Sequence, residues 1–586
     1  MSGQPERPAP GTAAAPSDAL PQGHPRKWWI LVAVSFGMFM ALLDVTVVNI
    51  AIPAIISDLG ASVTKVSWVI NAYSLALAVL FLSMGRISDK YGQKRVFVFL
   101  GLALFTLFSL LCGLAPTIDW LIVFRAGQGI GGAALLPISL AILMAAFPAH
   151  QHGAAVGLWG ALGSVAAAVG PTLGGLIVEY LSWHWIFFVN IPVGIVAIAM
   201  ALWIIPEHRP NRHAEGIDLP GILISAAGLF CLVLALIQGN SWGWGSPAIV
   251  GLFVVAAVSY PVFVWWERRT PSPMFDFRLL RIRSFTAANT AMFFVGAAMG
   301  GSLFLLVLFL VNVLGYSELK AAVAVTPMPL TGLVTAPLVG RSVDRIGPRI
   351  PAVLGALFFF VGLVLLAQLN GESTVWDATW RVIFLGLGIG FTMPTLSSAA
   401  MSSLPPQVAG VGSGSLNTLR QVGFSVGLAV VVAIFSHTVV TEAATATKDA
   451  VKYVNDLPQL PAAAKTTISA AILKGAKEAQ ASGRGLSGVS DALAKNAPQA
   501  PAGSPIAVMV DQLKSTIGAI YRDHIAGAFT WPFYAAALAA LLAVVPAAMV
   551  GRRLGEHTGD ELGRDRRRRS PGEAEAAEAG APLSEE

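Results

Sequence analysis

Fourteen apolar runs, each close to the ~20 residues that a helix needs to cross a hydrocarbon core, occupy most of this 586-residue sequence. They fall at about 28–50, 67–87, 96–115, 119–147, 154–178, 185–205, 217–238, 247–266, 285–314, 320–340, 350–369, 378–402, 410–436 and 527–550. Backbone amides and carbonyls in hydrocarbon must bond within the protein, so each run is expected to be a helical span. The composition agrees: 55% hydrophobic and 12% charged residues are far more apolar than a soluble domain could bury. The chain is therefore expected to be an all-α polytopic membrane protein.

An even number of spans returns both termini to one side. Arg26, Lys27, Arg86 to Arg95, Arg209, Arg212, Arg268 to Arg283, Arg341 to Arg349, Arg552 and Arg553 cluster there, whereas the opposite short loops hold little beyond Lys65, Lys320 and Arg381. The excess of Lys and Arg marks the cytoplasmic side, so both termini are expected in the cytoplasm and the chain in the plasma (inner) membrane. Trp28, Trp29, Trp183, Trp185, Trp242, Trp244, Trp265 and Trp266 stand at span ends, where indoles favour the interface. The net charge of +6 follows from this orientation signal and argues against a nucleic-acid partner. Cys112 and Cys231 lie inside apolar runs, as packing residues would, and no metal-ligand spacing, nucleotide-binding loop or nucleophilic triad appears. Neither an enzyme nor a cofactor is expected.

A repeat divides the chain. Gly85-Arg86-Ile-Ser-Asp89-Lys-Tyr-Gly92-Gln-Lys94-Arg95 follows span 2, and Gly340-Arg-Ser-Val-Asp344-Arg345-Ile-Gly347-Pro-Arg349 follows span 10. Two related halves are implied, and the offset of eight spans, rather than six, places two extra helices between them. Gly127-Gln-Gly-Ile-Gly131 in span 4 matches Gly386-Leu-Gly-Ile-Gly390 in span 12 at the same offset. The expected organisation is a disordered cytoplasmic tail (1–27), a six-helix bundle (28–205), two additional spans (217–266), a second six-helix bundle (285–550) interrupted by an extracytoplasmic insertion (437–526), and a disordered cytoplasmic tail (551–586). Within the insertion, Ala462 to Ala481 could form an amphipathic helix of a small cap, or the insertion could be unstructured. Arg566 to Arg569 could touch anionic membrane lipid; a solvated tail is the simpler expectation.

Asp44 sits deep in span 1, where a charge costs at least about 2.5 kcal/mol unless it is paired or protonated. Such an acid suits proton exchange, and a static ion pair is the alternative. Arg125 in span 4 is its natural partner, with Gln128 one turn on. In the second half these positions become Phe384 and Leu387, so the polar machinery survives only in the first half. Span 5 carries Gly160, Gly163, Ala167, Gly170, Pro171, Gly174 and Gly175, small residues that allow close helix approach, with a proline able to bend the helix.

The repeated loop, in this setting, resembles the hallmark loop of the major facilitator superfamily. The segment Leu43-Asp44-Val-Thr-Val-Val-Asn49-Ile-Ala-Ile-Pro53 resembles the first-span signature of its fourteen-span drug:proton antiporter family of multidrug exporters. The resemblance implies the major facilitator fold and alternating access between two bundles. Arg125 then corresponds to the superfamily's fourth-span arginine, implicated in proton transfer, and Gly170-Pro171-x-x-Gly174-Gly175 to a motif associated with exporters. It also implies a latch on the cytoplasmic side: Asp89 against the start of span 13 near Val408 to Gly414, and Asp344 against span 5, with Gly85, Arg86, Gly92 and Arg345 in the same loops. Lys94 and Arg95 stand in the same loop as the latch, and for them an orientation signal is the favoured reading. Trp183-His184-Trp185, followed by Asn190, Pro192 and Gly194, resembles the family's fifth-to-sixth-span signature, with His184 where arginine is usual.

The function implied is proton-coupled efflux of amphipathic small molecules or antibiotics by a monomer, with the proton as coupling ion. A lipid, a siderophore or a self-made metabolite is the alternative cargo, and a membrane sensor on a transporter fold the alternative in another class. Phe36, Phe39, Tyr73, Met292 and Phe294 are candidates to line the pocket, with Asn417 and Gln421 as polar handles.

Overall fold

The computed structural model describes residues 23–61, 63–207, 218–458, 460–482 and 505–552. Fourteen helices among them are long and apolar enough to cross a membrane: spans 1 (Lys27–Ile52), 2 (Lys65–Tyr91), 3 (Gln93–Gly113), 4 (Ile118–Ala146), 5 (Ala149–Tyr180), 6 (Trp185–Ile204), 7 (Leu219–Trp242), 8 (Pro247–Glu267), 9 (Arg283–Asn312), 10 (Val323–Ile346), 11 (Arg349–Leu366), 12 (Val375–Met401), 13 (Ala409–Asp456) and 14 (Gln512–Met549). Each expected apolar run lies on one of them. The tails fall almost wholly outside the described residues, as do Arg209, Arg212 and Arg566 to Arg569.

Local chemistry sets the ends of these helices. Thr117, Asp218 and Ser246 accept the first-turn amides of spans 4, 7 and 8, Thr374 and Asp377 form a reciprocal capping box on span 12, and Gly60, in the left-handed conformation, ends the first helix.

Spans 1 to 6 pack into one bundle, with span 1 against spans 4, 5 and 6, and spans 2 and 3 against span 4. In the second bundle span 9 packs on spans 12, 13 and 14, and span 11 on spans 12 and 14. The halves meet chiefly along two helix pairs, span 2 with span 13 and span 5 with span 10, with smaller contacts of span 5 with span 12 and span 4 with span 13. Shifting 2 and 5 by the eight-span repeat gives 10 and 13, so the two seams are the same contact seen twice. Both are closed by glycine. A Cβ on Gly85 would collide with the carbonyl of Gly410, and one on Gly153 with that of Gly340. Span 7 lies over the seam between spans 2 and 13, where Leu229, Val233 and Leu234 join Leu75, Ala78, Val79 and Val422. Span 8 packs chiefly on span 7. The extra pair is thus central in sequence and peripheral in space.

Span 13 does not stop near residue 436, where its apolar run ends. The helix continues unbroken to Asp456. Helices Ala462–Ser482 and Pro505–Gly527 fold back beside it, burying Ala446, Ala450, Val454, Ile468, Ile472, Leu513, Ile517 and Tyr521 in a core of their own. Thr447 and Tyr521 share a 2.7 Å hydrogen bond within that core. The described part of the insertion is therefore a packed helical cap. Ile472 is fully buried there, and Ile472→Asp should cost several kcal/mol by leaving a charge without a partner. Limited proteolysis applied from the cap side should cut this variant faster while thermal unfolding of the membrane region stays unchanged; equal cutting would contradict the packed cap.

Candidate functional site

A cluster of charge lies inside the first bundle. Span 1 supplies Asp44 and span 4 supplies Arg125 and Gln128, which face one another because residues three apart share a helix face. Arg125 Nη1 donates to Asp44 Oδ2, and also to Gln128 Oε1 at 2.7 Å. Gln128 Nε2 donates to Asp44 Oδ1 at 3.0 Å, and Arg125 Nε to the carbonyl of Val69 at 3.0 Å. The guanidinium lies 4.3 Å from the ring centroid of Tyr73, whose hydroxyl donates to the Ala41 carbonyl. Side-chain exposure is 1% for Arg125 and 0% for Asp44, so both charges are withdrawn from solvent and lipid. Removing one partner of such a pair leaves an uncompensated charge, worth about 3–5 kcal/mol.

The two repeated loops form equivalent contacts at corresponding ends of the two seams. Backbone amides of Gly410 and Val411 donate to the two carboxylate oxygens of Asp89 at 2.8 and 2.9 Å. Those of Gly153 and Ala154 donate to Asp344 at 2.8 and 2.9 Å. Each carboxylate satisfies first-turn amides that have no partner in their own helix and meets the positive end of its dipole. Gly92 turns the chain between spans 2 and 3 with a φ of 99°, and Arg86 is half-buried beside Asp89. Lys94 Nζ donates to the Leu202 carbonyl and Arg95 pairs with Glu207. These two cations tie span 3 to span 6 within one half, away from the seam, and Arg345 is exposed.

The glycines of span 5 serve two neighbours. Gly153 and Gly157 admit span 10, whereas Gly163, Gly170 and Gly174 rest on Met38, Leu42, Thr46 and Val47 of span 1. Gly175 meets nothing within 4 Å. The helix runs through position 171 without a break; the ring of Pro171 lies outside the described side chains. His184 stacks on Trp183, whose indole donates to Asp58.

The candidate pocket residues separate. Tyr73 and Met292 are 1% and 2% exposed; Tyr73 belongs to the charge cluster and Met292 to the core, so neither lines a cavity in this state. Their aromatic or flexible apolar character suited a pocket and a core equally. Phe36, Phe39, Phe294 and Gln421 are half-buried, and Asn417 is buried with its Oδ1 toward Arg420. Sequence reasoning passed over Arg420 although it named both Asn417 and Gln421. Its signal was available, a single cation ten residues into an apolar run.

Two bundles joined by two equivalent seams, with a sealed ion pair inside one bundle, fit a membrane transport protein. The sequence matches the family model of the Major Facilitator Superfamily over residues 34–428, and the chain belongs to that family; it is a multi-pass membrane transporter, not an enzyme. It is similar to the tetracenomycin C resistance and export protein of Streptomyces glaucescens, 34% identical over 420 residues, covering 72% of this chain and 77% of that protein. The multidrug resistance protein Stp of Mycobacterium tuberculosis is 36% identical over 406 residues, 68% and 74% of the two chains. The puromycin resistance protein pur8 of Streptomyces alboniger is 35% identical over 427 residues, 72% and 84%. The fold is shared with the human organic anion transporter MFSD10 at a TM-score of 0.53 and 14% identity, over 70% of this chain and 94% of that one.

Replacing Asp89 by Asn keeps an acceptor but removes the charge facing the helix end, a loss of about 1 kcal/mol or roughly fivefold in the closed-to-open ratio. Ser413, fully buried behind this latch, reports on it when changed to Cys with Cys112 and Cys231 replaced by Ala. Thiol labelling at 413 should accelerate about fivefold in Asp89→Asn; an unchanged rate would show that the contact does not hold the seam.

Proposed function

We propose that this protein exports amphipathic small molecules, antibiotics among them, across the plasma membrane in exchange for protons, with both termini in the cytoplasm. The observation that carries the proposal is the sealed contact of Asp44 with Arg125 and Gln128. The resistance and export functions in the names of the relatives support the direction and the kind of cargo.

The cluster is built to survive a change of charge. When Asp44 takes up a proton, Arg125 loses its counter-ion, yet the Val69 carbonyl, Gln128 Oε1 and the face of Tyr73 remain as acceptors for the guanidinium. When Asp44 gives the proton up, Gln128 Nε2 and Arg125 Nη1 receive the carboxylate. Spans 1, 2 and 4 thus fit together differently in the two states. Span 1 packs on span 5 and span 2 on span 13, so the change reaches both seams directly.

The driving force suits uncharged cargo better than cationic cargo. One proton moving through about 100 mV and about one pH unit supplies roughly 2.3 plus 1.4 kcal/mol, enough for a gradient on the order of 500-fold for a neutral compound. A monovalent cation exchanged for one proton gains only the pH contribution, about tenfold.

In energised inside-out vesicles, wild type should collapse the proton gradient when puromycin or another amphipathic antibiotic is added. Asp44→Asn, checked for intact folding by its thermal transition, should not respond, and Gln128→Leu should respond at a rate reduced about fivefold by loss of one hydrogen bond. Equal collapse in wild type and Asp44→Asn would refute coupling through Asp44.

A further inference from the structure

The second bundle holds a cation with no counter-charge. Arg420 stands in span 13 ten residues beyond Gly410, about 15 Å along the helix and so near the middle of a hydrocarbon core of about 30 Å. Its Nη2 donates to Asn417 Oδ1 at 3.1 Å, and among the described residues no carboxylate lies within ion-pair reach and no aromatic face lies against it. Arg125 is its opposite: that guanidinium has a carboxylate, an amide oxygen, a carbonyl and a tyrosine face. An arginine offers five N–H donors in a planar fork, and most of those on Arg420 are left for something the protein does not supply.

The packing of span 13 shows where that something would sit. Span 2 is met through Gly410 and Gly414, span 9 through Gly423 and Gly427, and span 7 through Val422. At 100° per residue, Asn417, Arg420 and Phe424 fall in the arc between the span 2 and span 9 contacts, opposite span 7. The backbones of Arg420 and Phe424 edge the span 9 contact at Gly296 and Gly300, yet Arg420 stays partly exposed and Phe424 exposed. The arc between span 2 of one bundle and span 9 of the other therefore opens toward the space between the bundles. Asn417 is buried and fixed by its own amide donating to the Ser413 carbonyl, so its oxygen holds the Arg420 fork in place. Gln421 is half-buried beside it and Phe424 is exposed.

We propose that Arg420, positioned by Asn417, is an anion-binding subsite of the central passage that takes the carboxylate of an amphipathic organic acid. The proposal rests on the export function above and narrows its cargo. A planar carboxylate accepts two parallel N–H bonds from a guanidinium, and the uncompensated positive charge discriminates against cationic drugs at this point of the passage. Exporting a monoanion against an incoming proton moves charge in the same electrical sense twice, so the membrane potential favours such cargo more than it favours a neutral one.

The test uses pyrenebutyrate, its uncharged methyl ester and the matching pyrenebutyl-trimethylammonium cation, with binding read by pyrene fluorescence on the purified full chain and no proton gradient. Wild type should bind the acid about tenfold or more tightly than the ester, and the cation more weakly than either. Arg420→Gln should lose the preference for the acid while binding the ester as wild type does, and Arg420→Lys, which keeps the charge but not the fork, should fall between. A wild type that binds the ester as well as the acid overturns the proposal, and so does an Arg420→Gln protein that loses acid and ester in parallel. If Arg420→Gln fails to fold, the wild-type comparison and Arg420→Lys decide. Selective acid binding in a protein that moves no protons supports the subsite and contradicts the coupling reading instead.

Discussion

A charge placed in hydrocarbon must find a partner, and this requirement organises the molecule around its few intramembrane ions. Asp44 and Arg125 answer it by pairing inside the first bundle with almost no exposure, at a cost that only a complete set of hydrogen bonds offsets. Gln128, the Val69 carbonyl and Tyr73 complete that set. The same helices that hold these groups, spans 1, 2 and 4, form the inner packing of the bundle. On the proposed coupling, a proton gained or lost at one carboxylate oxygen is felt as a change in helix packing. Arg420 answers the requirement differently, with one amide for support and no carboxylate within ion-pair reach among the described residues.

On the proposed mechanism, the seams convert packing into access. Each joins two backbones at glycine, so the helices touch without side chains between them, and each ends in a carboxylate bonded to two helix-terminal amides. Such charge–dipole contacts are worth about 1–2 kcal/mol. That is strong enough to hold this end of the seams shut and, on the proposed mechanism, weak enough to be released when cargo or protonation favours the other state by a similar amount. Because both contacts are built from one repeated loop, the two seams are matched in geometry.

Much of this was legible in the sequence, for reasons that can be named. Span length is set by bilayer thickness, so fourteen spans followed from hydropathy. The Gly-x-x-x-Asp-x-x-Gly repeat at an eight-span offset fixed which helices correspond, and with it the matching of the 2–13 and 5–10 seams. Asp44 and Arg125 stood out because charge is rare in such segments. What stayed hidden depends on three-dimensional neighbours. Tyr73 carries no sign in the sequence of the guanidinium beside it, the place of span 7 over a seam follows from apolar surfaces that look like any other lipid-facing helix, and the cap's core is a few widely spaced Ile, Leu and Val residues in otherwise polar or alanine-rich segments. Arg420 lay between two residues chosen as polar handles and was overlooked because its partner, an amide three residues back, carries no charge.

The central claim is that Asp44 itself exchanges a proton. Infrared difference spectroscopy between alkaline and acidic conditions tests it without knowledge of the cargo. Wild type should show a carboxylic acid band appearing on acidification that is missing in Asp44→Asn and retained in Asp89→Asn. A spectrum unchanged by Asp44→Asn would mean that this carboxylate stays ionised throughout, that its contact with Arg125 is a static ion pair, and that the coupling proton travels elsewhere.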